Sequence, residues 1–200
     1  MKIDLHVHTS EYSRCARSTE KEQIETAIAK GLDGIALTDH DKQRSPERLR
    51  QLNDKYAPFK IFTGVEINTC DYFEDILVIG VPEMSKKKNS NWYYADLHRF
   101  VKKHNGFLIL PHPFRWDDRV RTPVGKYSPD AIEIRSVNID PYLEGKIQDL
   151  ADDLDIQLVA TSDSHHWQYT GLYYITLANR VETDEELVRE LKAARYELSI

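Results

Sequence analysis

Short apolar runs alternate along the chain with longer stretches of helical period, and a polar cluster follows most of the short runs. The first run interleaves Ile3, Leu5 and Val7 with Asp4, His6 and His8. In a strand, residues i and i+2 point to one face, so His6 and His8 share a face and the three apolar residues take the other. Thr19-Glu20-Lys21-Glu22 has the pattern of a capping box, Ile24, Ala27 and Ile28 form the stripe of a helix, and Gly31 closes it. Residues 34–37 predict a buried strand that ends in Thr38-Asp39-His40-Asp41. Ser45-Pro46 starts a helix to about Tyr56, and Phe59 to Asn68 reads as a strand that bears Glu66.

A strand over 76–80 follows, then a solvated loop at 86–91 and a helix from about Trp92 to His104, stopped by Asn105-Gly106. Phe107 to Leu110 is a strand that runs into Pro111-His112-Pro113, whose prolines fix the backbone on both sides of His112. Residues 114–129 are irregular and rich in arginine, which suits a lid or binding loop. The remaining elements are strands at 131–134, 157–161 and 174–177, a helix from Asp140-Pro141 to about Leu154, and a last helix capped by Thr183-Asp184-Glu185-Glu186.

About seven strand-then-helix units predict one α/β domain with a parallel sheet, and in a closed barrel the functional residues gather at the C-terminal ends of the strands. His6, His8, His40, Glu66, His112, Asp163 and His165 all fall at such ends. An isolated His-x-His reads equally well as a metal pair or as two unrelated histidines. Unrelated histidines have no reason to share one end of every strand, and that favours the metal pair.

Composition narrows the picture only modestly. A chain of 200 residues suits a single domain, and Lys+Arg 27 against Asp+Glu 33 gives a net charge of −6, which argues against a stable nucleic-acid complex. It leaves a polyanionic substrate open, because bound cations reverse the local sign. No run is long enough to span a membrane and no secretory segment precedes the first strand, so a cytoplasmic location without a membrane partner is expected. Cys15 and Cys70 are too few and too far apart for a disulfide framework, and Cys15 reads as core or bystander rather than a ligand.

Imidazole and carboxylate donors together suit zinc, manganese or iron, and Glu66 could bridge two ions. The cluster exceeds the needs of one tetrahedral ion, so two or three divalent ions are expected. Such a centre can acidify water, present it as a metal-bound hydroxide to phosphorus and offset charge on the departing oxygen, so hydrolysis of a phosphate ester of a small metabolite or nucleotide is the leading expectation. Arg115, Arg135 and Arg14 follow metal motifs and are the expected phosphate anchors, whereas Arg119 and Arg121 read as solvated loop charges. Asp39 or His166 would protonate the leaving group. His98 and His104 read as solvated, Trp92, Tyr93 and Tyr94 as packing, and Trp167 and Tyr169 as either a substrate cover or core.

Taken together, Asp4-Leu5-His6-Val7-His8-Thr9, Thr38-Asp39-His40-Asp41, Gly64-Val65-Glu66-Ile67, Pro111-His112-Pro113 and Ser162-Asp163-Ser164-His165 resemble the successive motifs of the PHP (polymerase and histidinol phosphatase) family. The resemblance runs from residue 4 to residue 165 and implies a distorted (β/α)7 barrel, a trinuclear metal centre and phosphoesterase activity. By that resemblance His6, His8, Glu66 and Asp163 hold one metal, Glu66 bridges to a second bound by His112, and His40 and His165 hold a third. Two departures stand out. Tyr12-Ser13-Arg14-Cys15 offers no acid or histidine for the third site, and Asp75 replaces a histidine often present at the second. The alternatives are a metal-dependent amidohydrolase, which usually bridges its metals with a modified lysine where Glu66 stands here, and a metal-binding barrel without catalysis.

Overall fold

The computed structural model describes residues 1–81, 84 and 92–200, and the loop expected at 86–91 lies outside them. Three of its helices begin where the sequence places their caps. Thr19 and Glu22 form a reciprocal capping box at α1 (Glu20–Ala29). The Ser45 hydroxyl accepts from Arg48 N–H at α2 (Pro46–Tyr56), with Pro46 in the first turn. Thr183 does the same for Glu186 at α5 (Asp184–Lys192). Each such cap contributes about 1 kcal/mol. Between these lie α3 (Tyr94–Lys103) and α4 (Glu144–Leu154), the latter entered through a 3₁₀ turn at Pro141–Leu143 that Asp140 caps.

Among the described residues, nine strands form one sheet: β1 (Lys2–Val7), β2 (Gly34–Leu37), β3 (Lys60–Asn68), β4 (Asp75–Ile79), β5 (Phe107–Leu110), β6 (Ala131–Arg135), β7 (Gln157–Ala160), β8 (Tyr174–Leu177) and β9 (Tyr196–Ser199). Their order is β7-β6-β5-β4-β3-β2-β1-β8-β9. The α/β barrel expected from the sequence is present, but the sheet is mixed rather than parallel. β4 runs against both β3 and β5, and β8 against both β1 and β9. The β3 to β4 connection spans only residues 69–74, too short for the dozen or so residues a parallel crossover needs. The reversal has a useful result: the first residue of β4, Asp75, lies at the same end as the last residues of its neighbours and pairs with Asn68.

The sheet curls until its first and seventh strands meet. Val7 bridges Ser164 in parallel, His8 N–H donates to the Ser164 carbonyl at 2.9 Å, and Ser164 N–H donates to the His6 carbonyl at 3.1 Å. At the opposite end β8 and β9 fill the gap, and the Tyr196 hydroxyl lies 3.0 Å from the Leu158 carbonyl. One apolar cluster takes residues from β1 through β8, among them Ile3, Leu5, Ala36, Phe62, Leu77, Ile109 and Val159, and is floored by Leu187, Val188 and Leu191 of α5. Two others lie under α1 and α2 and under α3 and α4.

The period of two then places Glu66 above Phe62 and Gly64, Glu133 above Ala131, and Asp163 above Val159 and Thr161. The barrel interior is therefore apolar at its base and polar at its mouth. Gly64 is required in that column, since a Cβ there would meet the Thr38 methyl at 2.6 Å. One expectation for β1 fails. A bulge between Asp4 and Val7 breaks the alternation, so Val7 packs with Ile24, Ile35 and Leu37 while Ile3 and Leu5 stay in the barrel interior. His98, expected to be solvated, is instead half-buried with Nε2 3.1 Å from the Ser128 carbonyl. Trp92 and Tyr94 are core, Tyr93 is exposed, and Trp167 and Tyr169 are exposed rather than packed.

Candidate metal centre

Glu66 lies at the centre of the mouth. Its Oε1 is 3.1 Å from His112 Nε2 and 3.4 Å from His6 Nε2, and its Oε2 is 3.0 Å from His40 Nδ1 and 3.3 Å from His8 Nε2. Asp163 Oδ1 is 3.3 Å from both His6 Nε2 and His8 Nε2 and 3.4 Å from His165 Nδ1. His112 Nε2 is also 3.9 Å from Asp75 Oδ2. The structure thus brings together all eight expected ligands, from β1, β3, β4 and the segments that follow β2, β5 and β7.

Three of the converging atoms, His6 Nε2, His8 Nε2 and Asp163 Oδ1, are buried without any hydrogen-bond partner. Burying a polar atom unpaired costs roughly 1–3 kcal/mol, so three aimed at one point call for a shared partner. The 3.3 Å separations of Asp163 Oδ1 from each imidazole nitrogen equal the edge of a tetrahedron with bonds of about 2.0–2.1 Å, the length of zinc bonds to nitrogen and oxygen. The donors fit a divalent cation. Two further triads bring ligand atoms within 4.8 Å of one another: His8, His40 and His165, and His40, Glu66 and Asp75.

A second tier holds these ligands in place. Glu133, fully buried on β6, accepts from His6 Nδ1 at 3.0 Å and from Thr161 through one oxygen, and from His112 N–H at 2.8 Å through the other. Its acceptance of the Nδ1 proton leaves His6 Nε2 with a free lone pair. Ser13 does the same for His8. Its hydroxyl donates to Asp39 at 2.6 Å, so at 3.2 Å from His8 Nδ1 it can only accept, and Nε2 again faces inward as a lone pair. Asp39 in turn accepts from Thr9 N–H at 2.6 Å and from Arg44 Nη1 at 2.6 Å, and Arg44 Nε donates to buried Glu20 at 2.8 Å. Asn138 donates to Asp163 Oδ2 at 2.5 Å.

Glu133, Ser13, Arg44 and Asn138 were not anticipated from the sequence. A charged residue inside the apolar run Ala131-Ile132-Glu133-Ile134 was the one available signal. Glu133→Gln tests this tier, because an amide can accept from only one of the two donor sets and turns an N–H₂ toward the other. The fold is expected to persist while metal affinity, measured by competition with a chromogenic chelator, falls by roughly 10- to 100-fold.

Burial alone would lower the His6 pKa, but the charges of Asp163 and Glu66 and the bond to Glu133 outweigh it and hold it well above the usual value. The same contest raises His112, chiefly through Glu66. Burial also works against the charge of Glu66 and Asp163, and the facing imidazoles overcome it and hold both carboxyls well below their usual range. His165 goes the other way, lowered to about 4 by burial and the neighbouring His8. Without metal, then, protons on His6 and His112 stabilise the folded state below their unfolded values and are lost as pH rises through the folded ones. The Glu66 and Asp163 contributions are present above their unfolded values and are lost toward acid. Bound cations would take the place of those protons. The gap in melting temperature between manganese-loaded and chelated protein should widen from about pH 5.5 to about pH 9, and a constant gap would contradict this proton–metal exchange.

The expected anchors and acids are distributed unevenly. Arg115 reaches the mouth, with Nη1 3.9 Å from Asp163 Oδ2 and its guanidinium 4.7 Å from the Trp116 ring centre. Arg135 is engaged within the fold. Its guanidinium is ion-paired to Glu144 at the start of α4, which the turn after β6 brings over it. Asp39 is fully buried behind the expected ligands and accepts from Thr9, Ser13 and Arg44. Arg14 is exposed in the loop after β1. His166 lines a cleft beside the centre with Cys15, Arg17, His165, Gln168 and Tyr169. Its Nδ1 lies 3.3 Å from Gln168 N–H, which leaves the proton of the neutral ring on Nε2. Arg17 in this cleft was missed. Arg119 and Arg121 line a second cleft on the His112 side, where Arg121 pairs with Asp117 at 3.1 Å. Both cysteines are free.

A barrel of this shape, with histidines and carboxylates collected at its mouth, defines an α/β metal-site protein. The PHP domain family model matches residues 4–196, and the chain belongs to that family. No curated protein matches the sequence. Among solved structures, PsfC from Pseudomonas syringae is similar over 99% of this chain and 90% of its own, at TM-score 0.70 and 17% identity. A two-domain protein from Bacteroides vulgatus containing a predicted PHP-like metal-dependent phosphoesterase matches all of this chain at TM-score 0.74 and 18% identity, and this chain spans 64% of it. An amidohydrolase from Chromobacterium violaceum, solved with bound sulfate and no metal, has TM-score 0.68 and 16% identity, over 98% of each chain. At such identities the likeness is one of fold. No described helix is long and apolar enough to cross a membrane.

Proposed function

We propose that the protein is a metal-dependent phosphoesterase acting on a small phosphorylated metabolite or nucleotide. The observation that carries this reading is the convergence of His6 Nε2, His8 Nε2 and Asp163 Oδ1, each buried and unpartnered, around the shared carboxylate of Glu66. Membership of the PHP family supports it, as does the phosphoesterase among its fold neighbours. The sulfate on the amidohydrolase neighbour is a tetrahedral oxyanion of the kind the reading requires.

His6, His8, Asp163 and Glu66 would hold a first divalent ion, Glu66, His112 and Asp75 a second, and His40 and His165 with His8 a third, with zinc, manganese or iron suiting these donors. When bound, such ions act as Lewis acids that acidify water and offset negative charge on a phosphoryl group. Arg115 holds non-bridging oxygens at the mouth, where a planar fork matches phosphate geometry. Glu133 and Ser13 accept the Nδ1 protons of His6 and His8, so each ring would present Nε2 to a bound ion as a lone pair. His166, in the adjoining cleft, would offer Nε2–H as a hydrogen-bond donor to the departing oxygen.

Purified protein reloaded with manganese or zinc is expected to release phosphate from members of a broad ester panel. A metal-replete protein inactive on every ester would end this reading. Turnover of amides alone would shift it to the amidohydrolase class.

A further inference from the structure

Large exposed aromatic side chains are unevenly distributed over the barrel. Phe73, Trp116, Tyr142, Trp167 and Tyr169 all lie on loops at the mouth, and Tyr93 precedes α3. Two of them border the cleft on the His112 side, which is lined by Phe73, Asp75, His112, Phe114, Arg115 and Trp116 among others. Phe73 is 68% exposed and Trp116 71%, so neither is held there by core packing. Phe73 moreover has φ 55° and Phe114 φ 65°, a left-handed backbone that bulky side chains rarely adopt.

The two rims are fastened together. Phe73 N–H donates to the Thr69 carbonyl at 2.8 Å within the β3–β4 turn. The next residue, Glu74, accepts from Arg121 N–H at 2.8 Å and from Thr122 N–H at 2.6 Å on the opposite loop. Arg115 lies over the Trp116 ring and so joins the aromatic rim to the edge of the metal centre.

We propose that Phe73 and Trp116 form a stacking platform for a planar aromatic group on the substrate, a nucleobase or similar ring, attached to the phosphate that the metal centre receives. This deepens the phosphoesterase reading and rests on it for the phosphate. The ring's apolar faces would meet Phe73 and the exposed part of Trp116 that Arg115 leaves uncovered, with Arg115 between ring and phosphate. Stacking of one base on an aromatic side chain gives a preference of about tenfold or more.

The test compares adenosine 5′-monophosphate with ribose 5-phosphate, which differ by the base, on the full chain. On chelated protein, saturation-transfer NMR should show magnetisation reaching the base protons, and AMP should bind about tenfold or more tightly than ribose 5-phosphate. On metal-loaded protein the same ratio should appear in kcat/KM. Trp116→Ala and Phe73→Ala should bring both ratios toward one, with Trp116→Phe retaining most of the preference. Equal affinity for the two compounds, or variants that leave the ratio unchanged, would overturn the platform even if phosphate is released. Saturation transfer to the base that disappears in Trp116→Ala, with no phosphate released from any ester, would uphold the platform and sink the phosphoesterase reading.

Discussion

Glu66→Gln is expected to remove at least one metal ion per chain and to reduce phosphate-ester hydrolysis by about 10³-fold, near 4 kcal/mol of transition-state stabilisation. The exchange conserves volume and backbone, so the effect isolates charge and proton inventory. Glu66 faces four imidazoles at 3.0 to 3.4 Å, and among the described residues no other carboxylate has more than three within that range. A glutamine there lacks the negative charge, and its N–H₂ donates to the imidazole lone pairs that a cation would need, so it competes with the ion instead of binding it. Metal content by elemental analysis and phosphate release should fall together. A Glu66→Gln protein with a full metal complement would show that the carboxylate does not bridge the centre.

The second large effect lies in stability. Arg44 is 4% exposed, and its guanidinium holds Asp39 at 2.6 Å, Glu20 at 2.8 Å and the Thr9 hydroxyl at 2.6 Å, with the Tyr12 ring 4.4 Å away. Arg44→Met keeps much of the volume and deletes the cation. Glu20 retains Arg48 at 2.5 Å, but Asp39 loses the one ion-pair partner it has among the described residues and stays buried. Removing one member of a buried pair costs about 3–5 kcal/mol, because the remaining charge has neither water nor a counter-charge. For a domain of this length that lowers the melting temperature by roughly 6–20 °C. The melt should be recorded in chelator, so that metal binding does not mask the loss. A change below about 1 kcal/mol would mean that Asp39 takes up a proton at little cost and that the network orients ligands without supporting the fold.

The parts of the molecule legible in the sequence were those governed by local rules. Capping at Thr19, Ser45 and Thr183 depends on a few adjacent residues, and the strand-end positions of the histidines follow from element order. What escaped depends on contacts between distant segments or on backbone geometry that leaves no residue signature. The β3–β4 turn has Phe73 in its left-handed position, where glycine or asparagine would have announced a hairpin, so the reversal of β4 was invisible. The bulge in β1 has no marker residue either. Arg44 and Ser13 act across the gap between the loops after β1 and β2, and neither fits a period. Arg135 faces the mouth by alternation, yet Glu144 of the next helix claims it, a partner that only the folded chain supplies.

The seam between β1 and the segment after β7 gives the centre a role in the integrity of the chain. A cation shared by His6, His8 and Asp163 would tie the start of the sequence to a point near its end, across the parallel bridge of Val7 and Ser164. Such a tie is a removable staple whose entropic worth grows with the loop it closes, and here the loop is most of the protein. Stripping the metal should therefore loosen β1 from the segment after β7 before it disturbs the helices. Amide exchange would report this as early loss of protection at His8 and Ser164, the donors that hold the seam shut.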